Sequence, residues 1–359
     1  MISRLDRYVA RYFFTSWVVS AVFFLGLHAV YVLFAEFNDL LKGFEVEGST
    51  HGFLEVAELF LLRVPMFFVQ VAPFIMVMAA LITLLRLQRH NEFMAMIMTG
   101  RSARRVILPI FALTIIFLGG LVWVQEVWAP EVSLQRDELQ WSLTEKGKDR
   151  MIETMNMRDA EGRLFSAFNY NVGTGVISRL NMSYEDGFGR NVHVTGQDAQ
   201  WNDEAGGWTL QNGRSEVRRS TSEESKVEEA FFVETDIRPE QLLAESRLPF
   251  DLSYSELLGL SERYPSSRRY RLLRHYHVTF PLSVLLLVLL SVPFVVRLEA
   301  SRRTRGLGIA IGCCMAFLIL DASLRDLGSR GIIQPVLAAW LPVIVAGSLA
   351  TVLHDSLES

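Results

Sequence analysis

Two apolar runs, Val64–Leu85 and Val106–Val124, flank the stretch from Arg86 to Arg105, which reads R-L-Q-R-H-N-E-F-M-A-M-I-M-T-G-R-S-A-R-R. Each run comes close to or exceeds the ~20 residues a helix needs to cross the hydrocarbon of a bilayer, so the stretch between them is a loop joining two membrane spans. Its arginines, Arg86, Arg89, Arg101, Arg104 and Arg105, stand against a single acid, Glu92. Short loops rich in Lys and Arg stay on the cytoplasmic side, and that orients every other crossing. Inside the loop Phe93, Met94, Met96 and Ile97 recur at helical spacing, which predicts a short amphipathic helix with one apolar face and Gly100 as its C′ stop.

The chain cannot lie wholly in lipid. Half of its residues are hydrophobic, yet 21% are charged, so the charges must be segregated into water-facing segments. A formal net charge of −4 leaves no basic excess to neutralise nucleic-acid phosphates. The two cysteines, Cys313 and Cys314, are adjacent in an apolar segment, which argues against an ordinary disulfide between separated elements and against a metal site.

Arg4, Arg7 and Arg11 precede an apolar run from Tyr12 to about Phe34. The run is long for a signal peptide and no A-x-A site follows, so it reads as a first span with its N-terminus inside. The next loop carries Glu36, Asp39, Glu45, Glu47, Glu55 and Glu58 against Lys42 and Arg63, which suits the outer side. The second span contains Pro65 and Pro73, which remove backbone donors and kink a helix unless neighbours compensate. The third is expected to end near Trp128-Ala129-Pro130, with the tryptophan at headgroup level.

Between Pro130 and about Arg271 the pattern changes to short alternating runs: Leu164–Tyr170, Val176–Tyr184, Val192–Trp201, Trp208–Leu210 and Ala230–Thr235. Turn residues separate them at Asp186-Gly187, Ala205-Gly206-Gly207 and Asn212-Gly213. This predicts an antiparallel β domain, with Arg214–Glu229 as a solvated loop or ribbon and with helices at Arg238–Leu243 and Ser253–Arg263. Three further spans follow at His277–Val296, Leu307 to about Leu324 and Ile333–Leu353. Arg297, Arg302, Arg303 and Arg305 join the fourth to the fifth, again a basic inner loop. The expected organisation is therefore an α-helical membrane protein of six transmembrane helices with an inserted antiparallel β domain. Residues 1–130 hold spans one to three, 131–271 the β domain and 272–359 spans four to six. Both termini are expected on the cytoplasmic side.

No G-x-x-x-x-G-K-[ST], H-E-x-x-H or G-x-S-x-G is present, so the chain offers neither a P-loop, a zincin helix nor a hydrolase elbow. His275 and His277 form an H-x-H, which without further ligands reads as interfacial rather than metal-binding. Gly306, Gly308 and Gly312 follow no strand, and close helix packing through Gly308 and Gly312 is the expectation. Asp321 and Arg325 lie four apart and are expected to neutralise each other, while His28 reads as a polar group facing the bundle. Lys42 and Arg63 sit at outer span ends, where they would meet an anionic headgroup or simply snorkel. Composition favours the Arg86–Arg105 loop as an interfacial linker holding anionic lipid. The competing reading is a helix whose Met-rich face enters a groove on a cytoplasmic partner, with Glu92 pairing a basic residue there.

Several motifs then align with one family. They are L-D-R-Y at Leu5–Tyr8, the paired Pro65 and Pro73, Arg89-x-x-Glu92 followed by Gly100-x-Ser102, Trp128–Pro130 and G-W-T-L-Q-N-G from Gly207. To these are added G-L-G-I-A-I-G from Gly306, then L-G-S-R-G, then P-V-L-A-A-W-L-P ending at Pro342. In these the chain resembles, nearly end to end, the LptF/LptG (YjgP/YjgQ) permeases of bacterial lipopolysaccharide export.

The resemblance implies a multi-pass subunit of the cell inner membrane, without catalytic residues, metal or cofactor of its own. It would be powered by an LptB-like ATPase dimer and paired with a second LptF/LptG-type permease. Its periplasmic domain would be jellyroll-like and would continue a bridge of LptC-like and LptA-like proteins, receiving lipopolysaccharide or a similar anionic glycolipid. Glu92 matches the coupling-helix glutamate of this family, and the ATPase-coupling set is then Arg89, Glu92, Met96 and Gly100. Lys42 matches a basic residue that holds the lipid and, with Arg63, makes the substrate-binding pair, although Glu36 and Asp39 make this region more acidic than the family pattern. Two other classes carry six spans and an outer β domain: a membrane-anchored scaffold or sensor with no transport role, and a proton-coupled transporter, for which Asp321 is the lone mid-membrane carboxylate.

Overall fold

The computed structural model describes residues 4–45, 53–144, 151–152, 155–186, 189–219, 225–229, 232–247, 249–265, 267–296 and 303–355. Side chains are described for these except at 32–33, 35–45, 53–56, 140–144, 218–219, 225–228, 244–245, 249 and 303–304. The chain divides into two compact units, one of Met1–Asp137, Phe250–Leu258 and Arg271–Ser359, the other of Glu138–Pro249 and Gly259–Tyr270.

The first unit is helical. Among the described residues six helices are long and apolar enough to cross a membrane, as the hydropathy pattern predicts. They lie in α1 (Arg4–Glu45), α2 (Phe53–Arg89), α4 (Ala103–Trp123) with its continuation α5 (Ala129–Thr144), α8 (Arg268–Val296), α9 (Arg303–Arg330) and α10 (Pro335–Asp355). The short α3 (Glu92–Met98) falls between α2 and α4. Burial is unequal: 67% of the apolar window of α2 and 61% of that of α8 are buried, against 22–33% for the other four. The two central helices supply Val69, Met76, Leu84, Val284 and Val288, onto which Phe13, Ile110 and Phe317 pack. Ala72, Ala79 and Ala80 let neighbouring backbones approach α2 closely. The core hydroxyls of Thr83 and Thr114 bond back to the carbonyls of Ala79 (2.6 Å) and Ile110 (2.9 Å), leaving neither unsatisfied.

Two features of these helices are not legible in the sequence. The helix of the third span continues past Pro130. A π turn over Val124–Trp128 carries the helix straight into α5, with the amide of Ala129 reaching the carbonyl of Val124. The wide turn absorbs the donor that Pro130 lacks, so the proline does not end the helix. Gly308 and Gly312, expected to pack against a neighbouring helix, have no atom of another described element within 4 Å of where a Cβ would stand. The close approach occurs instead at Gly328, where an added Cβ would meet that of Ala338 at 2.5 Å. There α9 ends on Gly331 (φ 77°), with the amide of Ile332 bonding Leu327 and that of Gly331 bonding Gly328, a Schellman cap that turns the chain directly into α10. Arg297 and Arg302, placed in the basic inner loop, lie outside the described residues.

The second unit is built on one antiparallel sheet: β1 (Met151–Ile152), β2 (Met155–Arg158), β3 (Leu164–Asn171), β4 (Val176–Glu185), β5 (Arg190–Gly196), β6 (Asp198–Asn202), β7 (Gly207–Gln211), β8 (Arg214–Arg219), β9 (Ser225–Glu229) and β10 (Phe232–Glu234). The order runs β10-β7-β6-β4-β5-β8-β9, and β3 pairs with β1, β2 and β4. The run expected as one strand, Val192–Trp201, is two, because β4 pairs β5 along one half and β6 along the other. At the break the Cδ2 of Leu210 sits 2.7 Å from where a Cβ on Gly196 would be, so a side chain there would have to push Leu210 aside. Within Arg214–Glu229, β8 and β9 pair antiparallel as a ribbon. Trp208 is fully buried and donates to the carbonyl of Ile237 at 2.9 Å, with Phe165, Tyr170 and Trp201 ringed around it. Burial pushes the Tyr170 phenol above its ordinary value. Helix α6 (Pro239–Ser246) follows, and α7 (Tyr254–Arg263) opens on a capping box in which Ser253 and Glu256 bond each other's amides.

Candidate functional site

The loop between α2 and α4 folds as its spacing predicts, but its faces are sorted by the tertiary structure. Asn91 takes a left-handed conformation (φ 58°), and this turns the chain from α2 into α3 within two residues. Gly100 (φ 85°) follows the helix, its amide bonding the carbonyl of Ile97, and Ser102 then caps α4 by accepting the amide of Arg105. Phe93 and Met96 point inward, 5% and 6% exposed, and belong to the core of the helical unit. Met94 and Met98 point outward at 56% and 82%. The four residues read from sequence as one apolar face therefore divide, and the outward methionines are Met94 and Met98, not Met96.

Glu92 is half-buried and turned toward α1. Its Oε1 accepts the Tyr8 hydroxyl at 2.9 Å, and Tyr8 in turn accepts the Tyr12 hydroxyl at 2.9 Å. The Arg86 guanidinium lies 4.1 Å over the Tyr12 ring. Asp6 holds Arg101 at 3.5 Å and Arg105 at 3.3 Å, and Arg104 donates to the carbonyl of His354 at 2.9 Å. Arg89 is exposed at the end of α2. Most of the loop's arginines are thus engaged within the chain. Sequence reasoning missed the partners Asp6, Tyr8 and Tyr12; the signal was the L-D-R-Y motif, two of whose residues make these contacts.

A second feature lies within the helical unit. Phe24 of α1, Phe74 and Val77 of α2, Leu287 of α8 and Ile311 and Leu318 of α9 line an apolar recess of about 180 Å³ with almost no polar surface. Pro73 also lines it, so the kink-prone position in α2 forms part of the wall. Arg63 sits half-buried on the same helix, ten residues and hence about 15 Å from Pro73 toward the N-terminal end of α2. The side chain of Lys42 lies outside those described, so the expected Lys42 and Arg63 pair is not seen together. His28 stacks on Phe67 across α1 and α2 at 3.5 Å between ring centroids.

Several other charges of the helical unit pair with one another. Arg325 reaches Asp321 at 3.1 Å, as expected, and lies 4.3 Å over Tyr276. His277 of the H-x-H meets Glu126 at 3.2 Å, and the amide of Tyr254 donates to the same carboxylate oxygen at 2.8 Å. Unforeseen from sequence is Arg136, 8% exposed, which holds Asp251 by two bonds of 2.9 and 3.3 Å and Asp137 at 2.6 Å. No group of three or more His, Cys, Asp or Glu able to hold a metal occurs among the described residues.

This arrangement offers an apolar volume among membrane-length helices and a short helix presenting two methionines. A search of curated proteins returned no match. The family model described as "Lipopolysaccharide export system permease LptF/LptG" matches residues 7–354, taking in all six apolar helices and the inserted sheet, and the chain belongs to that family of multi-pass permeases.

Proposed function

We propose that the chain is a membrane subunit of an ABC transporter that extracts lipopolysaccharide, or a similar anionic glycolipid, from the inner membrane and passes it to a periplasmic β bridge. The family membership supports export of lipopolysaccharide. The observation that carries the finer reading is α3, whose inner face is anchored in the core while Met94 and Met98 stand exposed beside arginines. Flexible, polarisable methionines on a short helix suit insertion into a partner's groove, here that of an LptB-like ATPase dimer, and hydrolysis belongs to that partner. The basic loop supports a cytoplasmic side for α3 and both termini and a periplasmic side for the β unit.

Acyl chains of the lipid occupy the recess bounded by Phe24, Phe74 and Ile311, and Lys42 and Arg63 lie toward the headgroup. The exposed apolar faces of α1 and α9 meet lipid or a second LptF/LptG-type permease, and LptC-like and LptA-like domains continue the path. The test is retrieval of an ATPase with the tagged full chain, comparing native with Met98→Glu. A charge placed in a desolvated groove costs enough to lower retrieval at least tenfold. A native chain that retrieves no ATPase under gentle detergent overturns the reading in favour of an anchored scaffold.

A further inference from the structure

The L-D-R-Y stretch at the start of α1 has no part in lipid binding or in the outward face of α3, yet two of its residues grip the α2–α4 loop. Tyr8 donates to Glu92 across 84 positions of sequence, and Tyr12, one turn further along, donates to the Tyr8 oxygen and so orients that hydroxyl toward the carboxylate. Tyr12 is itself pinned, edge-on to Tyr8 at 4.6 Å between centroids and beneath Arg86 of α2. Three elements, the end of α2, the start of α1 and the first residue of α3, therefore meet in one row: Arg86, Tyr12, Tyr8, Glu92.

The grip on Glu92 is incomplete. Its Oε1 is bonded, but its Oε2 is buried and has no hydrogen-bonding partner among the described residues. A carboxylate in water would have every lone pair satisfied, so this pose leaves an acceptor unsatisfied, and a second donor would relieve it. A cationic donor would do more, because a charge-assisted bond is roughly twice as strong as one from a neutral hydroxyl. The same α1 that carries Tyr8 carries Phe24, sixteen residues and about 24 Å along the helix, in the wall of the recess.

We propose that Tyr8, oriented by Tyr12, is a latch: it holds the Glu92 carboxylate against α1 until a basic side chain of the docked ATPase takes the carboxylate over, and its release frees α1 to move at the recess. Tyr8 is a positioning residue that acts through Glu92, and the inference rests on the export reading above. In the latched state α1 and α3 move together. In the released state Glu92 belongs to the partner, and α1 shifts without dragging α3 off its groove. The hydroxyl of Tyr8 is the switching element, and the ring merely packs.

The experiment uses the full chain with its co-purifying ATPase and companion permease, reconstituted in phosphatidylethanolamine–phosphatidylglycerol vesicles containing lipopolysaccharide. ATP hydrolysis, ATPase retained per permease and lipid extracted per ATP are measured for native, Tyr8→Phe, Tyr12→Phe and Glu92→Gln chains. Tyr8→Phe removes one hydroxyl and keeps the ring, so retention stays at the native level while lipid extracted per ATP falls about tenfold, the size of one hydrogen bond to a charged group. Tyr12→Phe moves the same ratio in the same direction by less. Glu92→Gln, which keeps an acceptor for Tyr8 but offers a basic partner no charge, lowers the same ratio, and Tyr8→Phe added to it lowers the ratio by less than it does in the native chain. A native complex that couples hydrolysis to extraction, together with an unchanged ratio in Tyr8→Phe, overturns the latch alone. A parallel fall of retention, hydrolysis and extraction in Tyr8→Phe also overturns it, since that is the mark of a merely structural tyrosine. Absence of any ATPase from the native preparation overturns the export reading and the latch with it.

Discussion

Two charged clusters tie the helical unit together, about 45 Å apart along the continuous α4–α5 helix, and they are made differently. At the α2–α4 loop Asp6 meets Arg101 and Arg105 at 3.5 and 3.3 Å, and those arginine side chains are 31% and 48% exposed. Around α5 and α7, Arg136 and Asp251 are 10% and 1% exposed and joined by two bonds, with Met66 also against the guanidinium. Exposed pairs are screened and exchange readily for water, whereas a buried bidentate pair leaves an uncompensated charge if either partner goes. The loop end is built to exchange partners; the α5 end is built to hold.

That contrast can be broken at three points. Arg136→Ala strands the buried Asp251 carboxylate and is expected to lower stability by about 3–5 kcal/mol, read as a large fall in the midpoint of thermal unfolding in detergent. An unchanged midpoint would remove the distinction. Glu126→Gln weakens the acceptor shared by His277 and the Tyr254 amide, with an expected loss of about 1–3 kcal/mol in the same measurement. A loss as large as that of Arg136→Ala would mean that the half-exposed Glu126 carries what is here assigned to the buried pair. The smallest effect belongs to Asp6→Asn, below about 1 kcal/mol and vanishing as salt is raised to 1 M, where the screening length shrinks to about 3 Å. Salt-independence of that difference would show the loop pairs to be held as tightly as the buried one.

The helices and the site were not equally legible. The helix of α3 and its Gly100 stop were readable because spacing and a positive-φ glycine are local properties. The inward turn of Met96 was not, since Met94, Met96 and Met98 carry the same chemistry and differ only in which faces Phe13 and the other core residues of the unit. The course of the helix through Pro130 was not readable for a related reason. A proline removes one donor wherever it stands, but whether the helix ends or widens into a π turn depends on what packs around it. Gly308 and Gly312 were legible as small residues and illegible as contacts, while Gly328, in the same helix, is the one that meets a neighbour.

Composition over a window of about twenty residues is enough to settle that six segments prefer lipid and that an alternating stretch between them makes a sheet, because transfer from water and strand periodicity are summed along the chain. Pairings across the chain are of another kind. Tyr8 with Glu92, Arg136 with Asp251 and Phe24 with Ile311 lie 84, 115 and hundreds of residues apart, and each side chain taken singly is an ordinary tyrosine, arginine or phenylalanine. Hydrogen bonds and packing act over a few ångströms, so only the arrangement of the helices in space decided which carboxylate is latched, which is locked, and where the apolar recess opens.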